Sequence, residues 1–203
     1  MKIICIGWNY HDHIKELKNE VPEEPVFFLK PDSALLKNNK PFFLPNFSNE
    51  VHHEVEMVLK INRLGKNIEE QFAERYFNEI GLGIDFTARD IQRNCKQKGK
   101  PWEIAKAFDQ SAPISKFLPI KKFNSIYNLN FSLDVNGKTV QQGNTKDMIF
   151  SFKKVISYVS TFMTLKIGDL IFTGTPPGVG TVSIGDHLSA KIEDTELLNF
   201  QVK

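Results

Sequence analysis

Short apolar segments with strand character follow one another along this chain, and regular helices do not separate them. This order argues against a doubly wound parallel sheet, in which strands and helices alternate, and favours an α+β fold with a largely antiparallel or mixed sheet. Strands are predicted at residues 2–6, 26–29, 55–61, 80–86, 129–135, 138–142, 170–173, 187–192 and 197–202. Helices are predicted at residues 9–18, 68–77, 88–98 and 148–163.

Two of these segments carry the clearest local signals. Asn136-Gly137 lies between two strand-like runs, and both residues tolerate the positive φ angles of a type I′ turn, so a β-hairpin is predicted there. Residues 148–163 form the longest segment with apolar residues at helical spacing. We expect this segment to be a helix that faces the core.

Length and composition exclude several classes of protein. A chain of 203 residues is expected to form one domain, residues 1–203, with a core that needs no disulfide. The formal net charge of +2 and the scattered lysines argue against nucleic acid as a partner. No stretch approaches the ~20 apolar residues that span a membrane, and we expect a cytoplasmic protein. Cys5 and Cys95 form no CxxC pair and are expected to be buried thiols.

Three carboxylates give the strongest chemical signal. Glu54 and Glu56 are two residues apart in a strand-like run, so their side chains are expected on one face. Asp85, on a separate glycine-rich run, would complete a set of oxygen ligands suited to Mg²⁺, Mn²⁺ or Ca²⁺. The alternative is that Glu54 and Glu56 line the solvent face of an amphipathic strand.

Three further features are candidates for a site. His13 and Glu16 are three residues apart on a predicted helix, where the carboxylate could orient the imidazole as a general base, or the pair could be a surface contact. Lys106 lies among apolar residues, so its amine is either partly desolvated or paired with an anion, or else it is a solvated surface lysine. The glycine-rich segment 173–180 could bring backbone N–H groups to an anion, or simply connect two strands tightly.

Seven stretches, in this order along nearly the whole chain, resemble the fumarylacetoacetate hydrolase superfamily, particularly its small acylpyruvase and oxaloacetate decarboxylase-like members. They are residues 7–13 (GWNYHDH), 28–31 (FLKP), 52–56 (HHEVE), 85–92 (DFTARDIQ), 100–106 (KPWEIAK), 142–150 (QGNTKDMIF) and 168–176 (GDLIFTGTP). Each string is modest, but seven in register are specific.

The resemblance implies a mixed β-sandwich roll that binds Mg²⁺ or Mn²⁺ through Glu54, Glu56 and Asp85. It places His13 and Glu16 on a segment that acts as a lid in similar proteins. Lys106 is implied as a catalytic residue, and Gln92 and Thr175 fall where relatives contact the oxo-acid end of the substrate. Arg89 falls in the same region, where a structural ion pair is favoured over direct substrate contact. Similar proteins commonly form homodimers.

One residue departs from the pattern. Similar proteins usually have Arg at the second position of the first stretch, and this sequence has Trp8 there. The loss of that cation removes a group that could bind a distal carboxylate, and an indole ring suits an apolar or flat substrate group better.

The function implied is a metal-dependent hydrolase of the acylpyruvase type, which cleaves a carbon–carbon bond in a small 2-oxo acid through an enolate. Oxaloacetate decarboxylation, and tautomerisation of oxaloacetate or of a 2-hydroxydienoate, are alternatives that use the same enolate. A non-catalytic relative that keeps the metal and the ligand is a further alternative. A β-rich interaction module with surface acids is the alternative outside this chemistry.

Overall fold

Strands account for most of the regular structure in the computed structural model of this chain, which describes residues 1–16 and 20–203. The strands are β1 (Ile3–Gly7), β2 (Val26–Lys30), β3 (Leu35–Leu36), β4 (Val51–His53), β5 (Val55–Ile61), β6 (Phe77–Ile84), β7 (Thr87–Ala88), β8 (Ala112–Pro113), β9 (Leu118–Pro119), β10 (Asn130–Val135), β11 (Lys138–Asn144), β12 (Leu170–Phe172), β13 (Gly180–Thr181), β14 (His187–Ile192) and β15 (Thr195–Gln201). The α-helices are α1 (His11–Glu16), α2 (Arg89–Gln97), α3 (Glu103–Lys106) and α4 (Phe152–Phe162). Short 3₁₀ helices lie at Asp32–Ala34, Glu70–Tyr76, Ile120–Lys122 and Thr145–Asp147.

Two larger sheets carry the fold. The six-stranded sheet has the order β2-β1-β12-β5-β6-β9, and its β1–β12 pair is parallel while the other pairs are antiparallel. The four-stranded sheet, β11-β10-β14-β15, is antiparallel throughout. The mixed, strand-rich α+β architecture predicted from the sequence is therefore confirmed.

The position of β5 in the middle of the six-stranded sheet explains why its sequence is so apolar. Met57 and Leu59 pack into the main core, whereas Val58 packs into a second apolar cluster on the opposite face of the sheet. A strand that is covered on both faces buries nearly every residue, so it reads as a continuous apolar run and not as a strict alternation. This strand also carries one of the three candidate metal ligands.

The predicted hairpin is confirmed. Asn136 and Gly137 have φ angles of 53° and 77° and join β10 to β11. Both positive values match the type I′ turn, whose twist suits the two flanking strands.

Helix boundaries differ from those predicted. The expected helix at 148–163 begins only at Phe152, where Ser151 Oγ accepts a hydrogen bond from Lys154 N (3.2 Å) as the N-cap. The residues before it bond elsewhere: Phe150 N donates to Asn9 Oδ1 at 2.7 Å and Ile149 N donates to Asn9 O. These contacts, 141 positions apart in sequence for Asn9 and Phe150, hold the backbone out of the helix.

Other segments differ by smaller amounts. The helix expected at 68–77 is a 3₁₀ helix over Glu70–Tyr76, and the strand expected from residue 80 begins at Phe77. The helix expected at 9–18 is observed over His11–Glu16, and its last two predicted residues lie outside the described part of the chain. Cys5 and Cys95 are free and buried, as predicted. Within residues 1–16 and 20–203, no helix is long and apolar enough to cross a membrane.

Asp169 ties the start of β1 to the start of β12. Its carboxylate accepts hydrogen bonds from Lys2 N and Lys166 N, each at 2.8 Å, and forms an ion pair with the Lys2 ammonium. Burial alone would raise the pKa of Asp169, but these donors outweigh it and hold the pKa below its usual value. The ionised carboxylate therefore stabilises the junction between the two parallel strands.

We expect Asp169→Asn to lower the free energy of unfolding by about 2 kcal/mol at pH 7, since buried donors lose a charged acceptor. Because the folded-state pKa is depressed, the contribution is present above the unfolded pKa of about 3.9 and is lost as the pH falls through the folded value. Urea unfolding of wild type and variant between pH 7 and pH 3 measures it, with the exposed Asp194→Asn as the control. A difference that stayed constant down to pH 3 would contradict this assignment.

Candidate active site

Three buried carboxylates converge where β5 begins and the paired strand β6 ends. Glu54 lies between β4 and β5, Glu56 lies within β5, and Asp85 follows β6 directly. One oxygen from each lies within 4.8 Å of the others, and each residue is at most 5% exposed. The expectation that Glu54 and Glu56 share a face with Asp85 is therefore met, and the solvent-exposed alternative is wrong.

The strand register explains this convergence. β5 and β6 pair with Val55 opposite Ile84 and Glu56 opposite Gly83, and Asp85 N donates to Glu54 O at 2.8 Å. Only glycine fits at residue 83, because the Phe172 ring occupies the space that a side chain would need. An added Cβ would lie 2.3 Å from that ring.

Three cations from separate segments neutralise much of this charge. Lys106 Nζ, on α3, donates to Glu54 Oε2 at 2.8 Å and to Asp85 Oδ2 at 2.7 Å. Arg89, the first residue of α2, forms an ion pair with the other oxygen of Glu54. Lys30 Nζ, at the end of β2, lies 2.8 Å from Asp85 Oδ1. Glu54 and Asp85 therefore each contact two cations.

These contacts set the protonation of the paired groups. Burial would raise the pKa of Glu54, but the charges of Lys106 and Arg89 outweigh it and hold the pKa well below its usual value. Burial would likewise lower the pKa of Lys106, yet Asp85 and Glu54 raise it. Glu54 is thus an anion and Lys106 a cation throughout the neutral range.

Glu56 differs from its two neighbours. Its Oε2 accepts a hydrogen bond from Gly174 N at 2.7 Å, but within residues 1–16 and 20–203 it forms no ion pair. Burial, and then the charges of Asp85 and Glu54, raise its pKa well above the usual value. A cation bound among the three carboxylates would remove this penalty.

The donor set fits a hard divalent cation. All three groups offer oxygen atoms, the ligands that Mg²⁺, Mn²⁺ and Ca²⁺ prefer. Asp85 Oδ1 is buried without an aligned hydrogen-bond donor, although the Lys30 ammonium is close, so it retains a lone pair for a further partner. An oxygen separation within 4.8 Å is compatible with one ion at about 2.0–2.6 Å from each ligand.

Lys30 and Lys96 are charged residues at this site that the sequence pattern does not predict, and Lys30 is the one that contacts the acidic cluster. It is 2% exposed, and beyond Asp85 it donates to Ser111 Oγ at 2.9 Å and to backbone carbonyls, including that of Lys106. Lysine is almost never fully buried unless paired. The sequence feature that could have indicated the burial of Lys30 is its position at the end of the apolar run of β2, directly before Pro31.

His13 and Glu16 form the predicted pair on α1. His13 Nδ1 lies 3.1 Å from Glu16 Oε2, and His13 is buried (4% exposed) whereas Glu16 is exposed, so the pair joins the buried imidazole to a carboxylate at the surface. Burial lowers the pKa of His13, although Glu54 and Glu16 oppose the shift, so the imidazole is neutral at pH 7. Since Glu16 accepts from Nδ1–H, the Nε2 lone pair is available as a base.

The glycine-rich segment 173–180 does bring N–H groups to anions, and the anions are the protein's own carboxylates. Gly174 N donates to Glu56, and Gly178 N lies 3.2 Å from Glu16 Oε1. Gly178 has a φ of 96°, and a Cβ there would lie 2.2 Å from Val140 O, so glycine is required. This loop therefore links the acidic cluster to α1.

Gln92, Thr175 and Arg89 all reach the same cavity. Gln92 Oε1 accepts from Arg89 Nη1 at 2.6 Å, and no group in the part of the chain that the structure describes accepts the side-chain amide hydrogens of Gln92. The Thr175 hydroxyl donates to Val55 O at 2.9 Å and accepts from Gln141, so its hydrogen is already used inside the protein.

Most of these groups line one small cavity, with a volume of about 30 Å³. Its lining comprises Ile6, Gly7, Trp8, His13, Phe28, Glu54, Glu56, Asp85, Arg89, Gln92, Lys96, Trp102, Lys106 and Thr175. Eight of the nine site residues expected from the sequence line this cavity, and the ninth, Glu16, does not line it but contacts His13. A small polar molecule that approached the acidic cluster would meet a neutral imidazole, an ammonium and an amide.

Sequence comparisons give matches over the whole chain. The family profile described as fumarylacetoacetate (FAA) hydrolase, C-terminal, matches residues 2–203. Oxaloacetate tautomerase FAHD1 of Mus musculus is 44% identical over 99% of this chain and 91% of its own length. Oxaloacetate tautomerase YcgM of Escherichia coli is 43% identical over 97% and 90%. Oxaloacetate decarboxylase of Dictyostelium discoideum is 43% identical over 97% and 91%.

Solved structures give the same result. Fumarylpyruvate hydrolase from Pseudomonas aeruginosa, in complex with Mn²⁺ and pyruvate, superposes with a TM-score of 0.94 at 35% identity, covering 100% of this chain and 89% of that one. The 5-carboxymethyl-2-hydroxymuconate delta-isomerase from Mycobacterium smegmatis has a TM-score of 0.87 at 33% identity, covering 99% and 78%. Hydrolase and isomerase chemistry are therefore both found on this fold.

Proposed function

Because this chain belongs to the fumarylacetoacetate hydrolase family, we propose that it interconverts the keto and enol forms of oxaloacetate with a divalent cation, Mg²⁺ or Mn²⁺, held by Glu54, Glu56 and Asp85. The observation that carries the proposal is the convergence of three buried carboxylates on one cavity with a neutral histidine and a buried lysine. The relatives named as oxaloacetate tautomerases support this substrate.

When bound, the cation would supply Lewis acidity, polarising the 2-oxo group of the substrate and favouring the enolate. Lys106 provides the second positive charge near that oxygen, because its ammonium already lies among the same carboxylates. Gln92 orients the substrate carboxylate with its amide hydrogens, while Arg89 holds Glu54 ionised in position. Thr175 shapes the cavity through its bonds to Val55 and Gln141.

His13 moves the proton in this proposal. Keto-to-enol tautomerisation requires a base that removes a proton from C3 and an acid that gives a proton to the 2-oxo oxygen, and the reverse reaction uses the opposite transfers. The neutral His13 imidazole lines the cavity and, among the described residues, has no ion-pair partner on Nε2, so it takes the proton from C3 and delivers it to that oxygen. Glu16 fixes the ring orientation and stabilises the imidazolium that forms. The Gly178 N–H in turn holds Glu16. The lid role that the family resemblance implies for α1 would let this contact place the base when the lid closes.

Acylpyruvate hydrolysis is the second candidate, since the same dyad could take a proton from water and the fumarylpyruvate hydrolase shares the fold. Decarboxylation of oxaloacetate uses the same enolate but requires no base, and one relative is named for it. The names of the relatives favour oxaloacetate chemistry over the hydrolysis that was expected first from the sequence.

The proposal is tested by following the enol absorbance of oxaloacetate at pH 7. We expect the protein with Mg²⁺ to accelerate tautomerisation about a hundredfold or more over buffer with Mg²⁺ alone, the usual range for positioned acid–base catalysis. Chelation with EDTA should remove the acceleration, and added Mg²⁺ should restore it. Metal-dependent binding of pyruvate without turnover of oxaloacetate or acetylpyruvate would instead identify a non-catalytic binding protein.

A further inference from the structure

Lys96 lies at the mouth of the cavity, on the helix that also carries Arg89 and Gln92. These three residues of α2 are spaced three and four apart, so they occupy one helix face, and all three line the cavity. With a rise of 1.5 Å per residue, Lys96 lies about 6 Å further along the helix axis than Gln92. The face therefore presents an amide near the carboxylate cluster and an ammonium one turn farther out.

Lys96 differs from the other cations of the site in its partners. Lys30, Arg89 and Lys106 each contact Asp85 or Glu54. Lys96 forms no ion pair with any residue of the described chain, and residues 17–19 are Leu, Lys and Asn, which carry no carboxylate. It is also exposed, so a molecule entering the cavity can reach it.

Two indole rings hold this ammonium in place. Lys96 Nζ lies 5.0 Å from the ring centroid of Trp8 and 5.4 Å from that of Trp102, and the two rings meet edge to face at 5.6 Å. Trp8 has a φ of 57°, a backbone conformation that bulky residues rarely adopt, which aims its ring at this place. The residue as a whole is exposed, but partial desolvation of its ammonium, and then the charges of Arg89 and Lys106, lower the pKa of Lys96. An anion beside Lys96 would offset the repulsion from those two charges.

We propose that Lys96, clamped by Trp8 and Trp102, binds the distal carboxylate of a dicarboxylic 2-oxo acid and makes the site selective for dianionic substrates. The inference rests on the proposed function, since it requires the oxo-acid end at the acidic cluster. The two carboxylate carbons of a four-carbon substrate are separated by three bonds of about 1.5 Å each. The distance between the two carboxylate carbons is comparable to the rise of one turn of α2, which separates Gln92 from Lys96. The flexible lysine side chain can make up the difference between the two lengths.

The role of Trp8 in the structure differs from the role that its position in the sequence indicates. Trp8 was expected to remove a carboxylate-binding cation and to favour an apolar group. The structure places a cation against its ring, supplied from residue 96 instead of residue 8. Trp8 is thus a positioning residue for Lys96.

The test compares a dianionic and a monoanionic substrate, oxaloacetate and acetylpyruvate, with Mg²⁺ present. Lys96→Met should raise KM for oxaloacetate by roughly tenfold, which is the loss of one charge interaction, with kcat changed less. KM for acetylpyruvate and the inhibition constant of pyruvate should change less than about twofold. Lys96→Arg should restore most of the oxaloacetate affinity, and Lys98→Met, an exposed lysine outside the cavity, should behave as wild type.

Pyruvate inhibition also reports whether each variant is folded, and Lys96→Gln serves as a second neutral variant if the Met variant is poorly expressed. Equal losses for oxaloacetate, acetylpyruvate and pyruvate would mean that Lys96 only supports the two rings, which overturns the inference and leaves the proposed function intact. Wild-type protein that binds none of the three compounds with Mg²⁺ would overturn both.

Discussion

Replacing Glu56 with Ala or Gln is expected to suppress tautomerisation, decarboxylation and hydrolysis together, by roughly a thousandfold, because all three use the charge of the same cation. Glu56 is the carboxylate of the cluster that contacts no cation within the described chain. A bound metal would therefore stabilise the charge of Glu56 more than that of Glu54 or Asp85. Gln keeps the size of the side chain and an oxygen that can accept from Gly174 N, and so tests the charge alone.

Thermal unfolding separates this effect from misfolding. Wild type with metal at a hundred times its Kd should be stabilised by about 2.7 kcal/mol, or about 2–4 °C in Tm for each kcal/mol. Glu56→Gln should lose this shift. Without metal the variant should be at least as stable as wild type, because a buried carboxylate beside two others carries a repulsion that Gln relieves. Glu79→Gln, a surface acid paired with Lys60, is the control, and full activity of Glu56→Gln would exclude Glu56 as a metal ligand.

The second large effect is expected from the loss of proton transfer by His13 and Glu16. His13→Ala or Glu16→Gln is expected to lower tautomerisation and acylpyruvate cleavage by about 10²–10⁴-fold, the range for loss of a positioned acid–base group. Decarboxylation should be affected much less, since loss of CO₂ requires no base. The metal-induced Tm shift should persist, because neither residue belongs to the acidic cluster.

Exposed His11 lies on the same helix, and His11→Ala provides the matched control. Because burial lowers the pKa of His13, the base form is retained as the pH falls below 6.5, and wild-type tautomerisation should persist there. Equal loss of all three activities in a variant that still shows the metal shift would place His13 outside proton transfer.

Much of the fold could be predicted because its signals are local. The Asn136-Gly137 turn and the apolar run of β5 depend on conformational preferences and burial patterns that neighbouring residues carry. The start of α4 could not be predicted, since Asn9, which lies far away in sequence, competes for the backbone before Phe152. The homodimer and the lid implied by the family resemblance stay predictions.

The candidate site divides in the same way. Glu54, Glu56 and Asp85 could be identified because strand periodicity places the glutamates on one face, Asp85 on a glycine-rich run completes an oxygen set, and the family resemblance implies the same three ligands. The sequence pattern does not predict Lys30 as part of the site, although Lys30 contacts Asp85. Lys96 gave no sequence signal, because an exposed lysine near the end of a polar helix is common.

By itself the sequence determined which chemical groups are available: three acids, a histidine beside a glutamate, and several lysines at ordinary-looking positions. Tertiary structure alone decided how these charges are paired. Lys106 reaches Glu54 across 52 positions and Arg89 reaches it across 35, whereas Glu56 reaches no cation within the described chain and Lys96 faces two indole rings. Coulomb energy depends on distance through space and on exclusion of water. The charge states of the site therefore follow from the folded packing, which residue order does not reveal.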